Sequence, residues 1–176
     1  MVCYRKLQPD EINLELFHAF QRRQVVTKCW RKEEGQWVIK DIPFIDDWKA
    51  NELEELVCSL KHTAVSGGLV YGAFINGSLK GFLSVEGTPI GSRRQYMDLS
   101  NIHVSQDVRG QGIGRELFLA ARQFTKERNG EKLYISAHSA VESQAFYRAM
   151  GCVEAEEYNQ EHVEKEPYDC QMECAV

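Results

Sequence analysis

The chain has 176 residues, 43% of them hydrophobic and 27% charged, with a net charge of −5; this is the make-up of an ordinary globular domain long enough to bury one core. Its longest apolar run, near residues 67–75, is far short of the roughly 20 residues that cross a bilayer, and the Met1-Val-Cys-Tyr-Arg-Lys start lacks an apolar export stretch, so a cytoplasmic protein without a membrane partner is expected. No basic stripe runs along the chain, which argues against a nucleic-acid partner.

Residues 2–7 alternate as a strand, and Pro9-Asp10-Glu11 suits the first turn of a helix carrying Leu14, Leu16, Phe17 and Phe20. Residues 22–46 mix Arg22, Arg23, Lys28, Arg31 and Lys32 with Val25, Val26, Trp30 and Trp37 without a convincing period. Asp46-Asp47 precede a helix with Trp48, Leu53, Leu56, Val57 and Leu60 on its apolar side, which Gly67-Gly68 ends. Two strand-like runs, 69–75 and 79–85, flank Asn76-Gly77, a strong hairpin signal. A polar loop leads to a strand at 98–104, a glycine-dense turn at 109–114, and an amphipathic helix through Ile113, Leu117, Ala120, Ala121 and Phe124. A strand at 133–137, a short helix at 141–150 stopped by Gly151, and a strand at 168–175 after Pro167 complete the chain. Residues 151–176 hold eight acids against Lys165, a net −7 that leaves +2 on the rest; the run is either a solvated edge or a field that draws in cationic amines.

The turn Arg109-Gly110-Gln111-Gly112-Ile113-Gly114 is where an anion would sit. Glycines let backbone N–H groups approach a phosphate, and the first turn of the next helix aims its unpaired N–H groups and positive dipole end at the same point. Arg109 and Arg115 add charge. A G-x-x-x-x-G-K-[ST] loop is excluded because its Lys is absent, and G-x-G-x-x-G fails because 115 is Arg and 117 is Leu. A nucleotide-binding protein with a variant loop also lacks a Mg²⁺-ligating hydroxyl after the last glycine.

What fits is R-x-x-G-x-G after a strand and before a helix, which resembles the acetyl-coenzyme A signature of the GNAT superfamily of N-acetyltransferases. The segment Phe146-Tyr147-Arg-Ala-Met-Gly151-Cys152 resembles the F-Y-x-x-x-G-[FC] ending of the same superfamily. The likeness is good over residues 68–176 and only broad over 1–67. It implies one N-acetyltransferase domain over 1–176, with 1–67 a variable acceptor-side part and 68–176 the acetyl-CoA-binding core. The implied fold is α/β (α+β): a mixed, mostly antiparallel sheet of six or seven strands flanked by helices, with a V-shaped cleft between central strands.

The resemblance also implies roles. Main-chain amides of Arg109, Gly110, Gln111, Gly112, Ile113, Gly114 and Arg115 would hold the cofactor pyrophosphate. Backbone groups of Ile102, His103 and Val104 would bind the pantetheine arm as if it were another strand. Tyr147 would reach the cofactor sulfur and protonate the departing thiolate. Many family members carry an Asn near the start of the last helix; this chain reads Ala140-Val-Glu142-Ser143, so Ser143 or Glu142 would stand in.

The reaction, attack of a primary amine on a thioester, needs proton removal. An alkyl ammonium of pKa near 10.4 is neutral about once in 2,500 molecules at pH 7, a deficit of roughly 4.6 kcal/mol. Asp98 opens the strand before the turn, where several superfamily members carry an acidic base. His103 has the better intrinsic pKa, but strict strand alternation sends it to the face opposite Asp98 and Ile102. Trp30, Trp37 and Trp48 are core residues or an aromatic wall for a cationic amine. Six cysteines without a C-x-x-C pair read as reduced thiols; Cys170, Cys174 and His162 do not amount to a metal site. The expected acceptor is a small-molecule amine rather than a protein tail, and a homodimer through the last strand is a further expectation. A sensor of the same fold that binds acyl-CoA without turnover is the rival reading.

Overall fold

The computed structural model describes residues 1–176. Its strands are β1 (Val2–Lys6), β2 (Gln24–Glu33), β3 (Gln36–Asp46), β4 (Leu69–Ile75), β5 (Ser78–Val85), β6 (Tyr96–Val104), β7 (Lys132–Ala137), β8 (Val153–Glu154) and β9 (Cys170–Ala175). The α-helices are α1 (Ala50–Val65), α2 (Ile113–Glu127), α3 (Val141–Ala149) and α4 (Gln160–Lys165). Seven strands form one mixed sheet in the order β1-β4-β5-β6-β7-β9-β8, in which only the β6–β7 pair is parallel, while β2 and β3 pair separately. No helix is long and apolar enough to cross a membrane.

The Asn76-Gly77 turn joins β4 to β5 with both residues at positive φ, 50° and 81°, the combination a two-residue hairpin of primed type demands. From β6 the chain crosses through α2 to β7. The apolar stripe of α2, Ile113, Leu117, Phe118 and Ala121, is buried against Leu83, Val85, Met97, Leu99, Leu133 and Ile135 of the sheet. Each such side chain contributes about 1.5–3 kcal/mol of burial. The opposite face packs Val57 and Leu60 of α1 on Val70, Phe74, Leu79 and Phe82, with Leu7, Ile12 and Phe17 filling the remainder.

One sequence expectation gives way here, and one unassigned stretch takes shape. The helix after Pro9 is a single 3₁₀ turn, Leu14–Phe17; Phe17 is buried and Phe20 stacks on Trp48 with ring centroids 5.5 Å apart, so the apolar spacing serves aromatic packing rather than a helix period. Residues 22–46 form the long β2–β3 hairpin, which crosses the end of β7: Trp30 N donates to Ser139 O at 2.8 Å and Lys32 Nζ pairs with Glu154 at 2.6 Å. The last strand, β9, lies between β7 and the two-residue β8, which pairs with it at Glu173 and Met172.

Two irregularities shape the centre of the sheet. β6 and β7 pair only at Tyr96↔Lys132, Met97↔Leu133 and Asp98↔Tyr134; beyond Asp98 the strands part, leaving one edge of β6 without a ladder partner. Between Leu99 and Asn101 a bulge inserts Ser100 opposite Ser84/Val85. Its hydroxyl donates to Glu86 Oε1 at 2.6 Å, and Asn101 Nδ2 donates to Ser84 Oγ at 2.9 Å, so the interrupted ladder is compensated by side chains. One extra residue reverses the alternation. Met97 and Leu99 before the bulge, and Ile102 and Val104 after it, therefore all face α2.

Candidate active site

A cavity of about 600 Å³ lies along the free edge of β6, between the glycine turn, the start of α2, α3 and the start of β2. Ile102, Val104 and His103 all line it. The first two point toward α2, whereas His103 packs on Phe82 (5.2 Å) and Trp48 (5.4 Å) on the other face, so the cavity wraps the strand edge and opens to both sides of the sheet.

At one wall the chain provides six consecutive main-chain donors. Gly110 and Gly112 adopt φ of 78° and 82°, a left-handed conformation that favours glycine, and so turn the amides of the loop inward ahead of α2. None of the amides from Gly110 to Arg115 donates to a carbonyl or side chain; the first to do so is Glu116, to Gly112 O at 3.2 Å. Free N–H groups at a helix N-terminus form an anion site. Arg109 serves the loop itself: Nε donates to Val104 O and Nη2 to Arg22 O, both at 3.0 Å. Arg115 lies at the rim, largely exposed and 3.5 Å from Glu116.

Across the cavity stands α3. Ser143 and Glu142 in its first turn line the space, as do Phe146, Tyr147 and Met150. Tyr147 is 9% exposed, and burial, with Cys152 and Asp169 nearby, pushes its phenol far above the ordinary range, so it keeps its proton at any working pH. His103 is affected in the opposite sense. Burial, reinforced by Arg22 and Arg109, pushes it down to about 3, which leaves a neutral imidazole too weak to be a base at neutral pH.

Of the sequence-derived candidates, Ile102, His103, Val104, Arg109, Gly110, Gly112, Ile113, Gly114, Arg115, Ser143 and Tyr147 line one cavity, while Gln111 and Asp98 do not. The expectation that His103 and Asp98 occupy opposite faces is corrected by the bulge, which puts both on the face away from α2. Asp98 is 8% exposed, sits at the last paired position before the strands part, and accepts from His162 Nε2 at 2.7 Å. Sequence reasoning did not assign Arg22, Gln24 and Val25 to the site; they arrive from the hairpin. Arg22 pairs with Asp46 yet has a buried Nε without an acceptor. Of the tryptophans, only Trp48 reaches the site, beside His103; Trp30 lies under Arg148 and Trp37 donates to Glu154. Cys170 and Cys174 face the α2 core, whereas His162 is on the other side with Asp98.

A family profile described as acetyltransferase (GNAT) domain matches residues 54–172. The chain belongs to the GNAT acetyltransferase family. Solved GNAT-fold structures resemble it over nearly its whole length. Nourseothricin acetyltransferase aligns with a TM-score of 0.71 at 16% identity, covering 99% of this chain and 98% of that one. A putative streptothricin acetyltransferase from Bacillus anthracis str. Ames, in complex with acetyl coenzyme A, gives 0.67 at 16% identity, covering 98% and 96%. The PaiA N-acetyltransferase of Thermoplasma acidophilum, in complex with coenzyme A, gives 0.62 at 16% identity, covering 100% and 99%. Among curated protein sequences nothing matches. The mixed sheet with one parallel central pair is the fold these GNAT structures share with this chain.

Proposed function

We propose that this GNAT protein is an acetyl-CoA-dependent N-acetyltransferase that passes the acetyl group directly to a primary amine of a small molecule. The observation that carries the reading is the run of uncommitted amides from Gly110 to Arg115 at the mouth of a cavity that also holds Tyr147. Acetyl-CoA supplies an activated acetyl thioester. The loop amides and the N-terminal turn of α2 would hold its pyrophosphate, and the open edge of β6 at Ile102–Val104 would pair with the pantetheine amides. Tyr147, kept protonated by burial, would donate to the sulfur as the thiolate leaves. Ser143 and Glu142 would contact the same arm from α3. The small-molecule preference is supported by the nourseothricin and streptothricin enzymes named above. Six free thiols suit a reducing compartment such as the cytoplasm.

The test is steady-state thiol release from acetyl-CoA with a panel of polyamines, aminoglycosides and amino acids, run beside calorimetric titrations of coenzyme A and adenosine triphosphate. The expected result is tight coenzyme A binding, none for adenosine triphosphate at the same concentration, and amine-dependent release. Coenzyme A binding with no release on any acceptor would make the protein a sensor instead.

A further inference from the structure

At the apex of the V, on the face away from α2, a buried carboxylate and an imidazole from α4 form a unit outside the cavity described above. Asp98 and Tyr134 are the last paired residues of β6 and β7. The ring of His162 stacks on Tyr134 with centroids 5.7 Å apart and planes 21° apart, and its Nε2 lies 2.7 Å from Asp98 Oδ2. The contact links residues 64 positions apart in sequence, and α4 is anchored there by Asn159, whose backbone N donates to Tyr134 OH at 2.8 Å.

Two features point to a ligand rather than to a structural pair. Asp98 Oδ1 is buried and has no donor; a carboxylate oxygen in that state is costly, so a donor from outside the chain is called for. His162 Nδ1, by contrast, has no hydrogen-bond partner and is not fully buried, on a side chain that is 25% exposed. Beyond the apex, Asp169 accepts from Ser136 Oγ at 3.0 Å, and its charge acts both on His162 and on Tyr147.

We infer that His162 is the general base of the transfer and that Asp98 is its positioning residue, the acceptor ammonium approaching Nδ1 from the face opposite the cofactor loop. The inference rests on the N-acetyltransferase reading above. Asp98 would take Nε2–H and so present Nδ1 as the free base, the arrangement of a carboxylate–imidazole dyad. One ammonium proton would pass to Nδ1, directly or through one water, while a separate water donates to Asp98 Oδ1. The electron pair left on nitrogen forms the bond to the acetyl carbonyl carbon. The C–S bond breaks with its pair on sulfur, which takes the Tyr147 proton; the acylated nitrogen loses its remaining extra proton to solvent to give the neutral amide, and the imidazolium proton returns through solvent to the phenolate, so one proton is released per turnover. The groups facing His162 are Asp98 from β6, Tyr134 from β7, Glu161 and Lys165 on α4 itself, and Asp169 ahead of β9. The hydrogen bond to Asp98 raises the imidazole above its ordinary 6.5, against the opposing effects of burial and Lys165.

The experiment measures kcat/KM against pH for wild type, His162→Gln and Asp98→Asn, with acetyl-CoA and the most active of spermidine, kanamycin and lysine methyl ester. NMR titration of the His162 ring in the ligand-free protein accompanies it. Wild-type kcat/KM rises with pH through an inflection that coincides with the NMR midpoint above 6.5. Asp98→Asn moves both downward. His162→Gln removes the inflection and lowers kcat/KM by about 10²-fold or more, with the acetyl-CoA dissociation constant within threefold of wild type. A His162→Gln enzyme that keeps the wild-type pH profile with kcat/KM within threefold overturns this inference alone. Wild-type protein that releases no thiol with any amine overturns the parent reading, and this one with it.

Discussion

Replacing Gly112 by Ala separates the cost of a backbone conformation from the cost of a lost ligand contact. Gly112 has φ of 82°, and a Cβ added there meets no protein atom within 4 Å; the structural penalty is therefore the left-handed conformation alone, about 1–2 kcal/mol. For a domain of this size that lowers Tm by roughly 2–8 °C. Gly77, in the hairpin turn, has φ of 81° and equally open space, so Gly77→Ala is the matched control and should lose the same stability. The two variants should differ in binding. Gly112 lines the cavity, so the neighbour of the added methyl is the ligand, and displacing a phosphate from one charge-assisted hydrogen bond costs about 1.5–3 kcal/mol, or roughly 10- to 150-fold in Kd. Isothermal titration with coenzyme A at fixed salt, beside thermal unfolding of both variants, reads the two quantities separately. Equal coenzyme A affinity in Gly112→Ala and Gly77→Ala, at equal loss of Tm, would refute the assignment of the turn as the phosphate cradle.

Tyr147→Phe should lower kcat by about 10²-fold or more while coenzyme A affinity stays within threefold, because the ring still packs and only the proton donor is removed; steady-state thiol release and calorimetry on one preparation check this. Glu154 ties the hairpin to the body of the protein, and the hydrogen bond from Lys32, with that from Tyr158, pulls its carboxyl from the ordinary 4.5 down to about 2. The stabilisation is therefore complete above pH 4.5 and fades as pH falls toward 2. Since both partners of the ion pair are more than 40% exposed, Glu154→Gln should cost less than about 1 kcal/mol at pH 7 in low salt. Urea denaturation should show that difference closing on acidification; a gap that widened instead would contradict the sign.

Features specified by a few adjacent residues were legible in the sequence. Asn76-Gly77 announces its turn because both residues tolerate positive φ, and the glycine turn could be located because strand, loop and amphipathic helix follow within some thirty residues. The placement of Tyr147 beside the cavity was legible through its surrounding pattern. The β2–β3 hairpin was hidden because it is a two-stranded sheet of its own, with charged residues spread along it and Glu34 occupying a left-handed turn position at φ 47°, which no turn rule favours. The face of His103 was misread because a bulge at Ser100 leaves no mark on hydrophobic alternation. Arg22 and His162 reach the central opening only through tertiary contacts between residues far apart in sequence, to Trp48 and to Asp98, and no local spacing encodes such a meeting.

The hairpin shares no backbone ladder with the seven-stranded sheet; it is held to the body by a bridge between Cys29 and Ala140, by Val26, Trp30 and Trp37 packed on it, and by a handful of polar ties. Substitutions at its exposed positions, such as Val25, Ile39 and Phe44, therefore leave the scaffold that carries the glycine turn intact. Selection can retailor that flap for new guests while the hardware beneath it stays unaltered, so diversification of one half of the pocket proceeds without relearning how to fold.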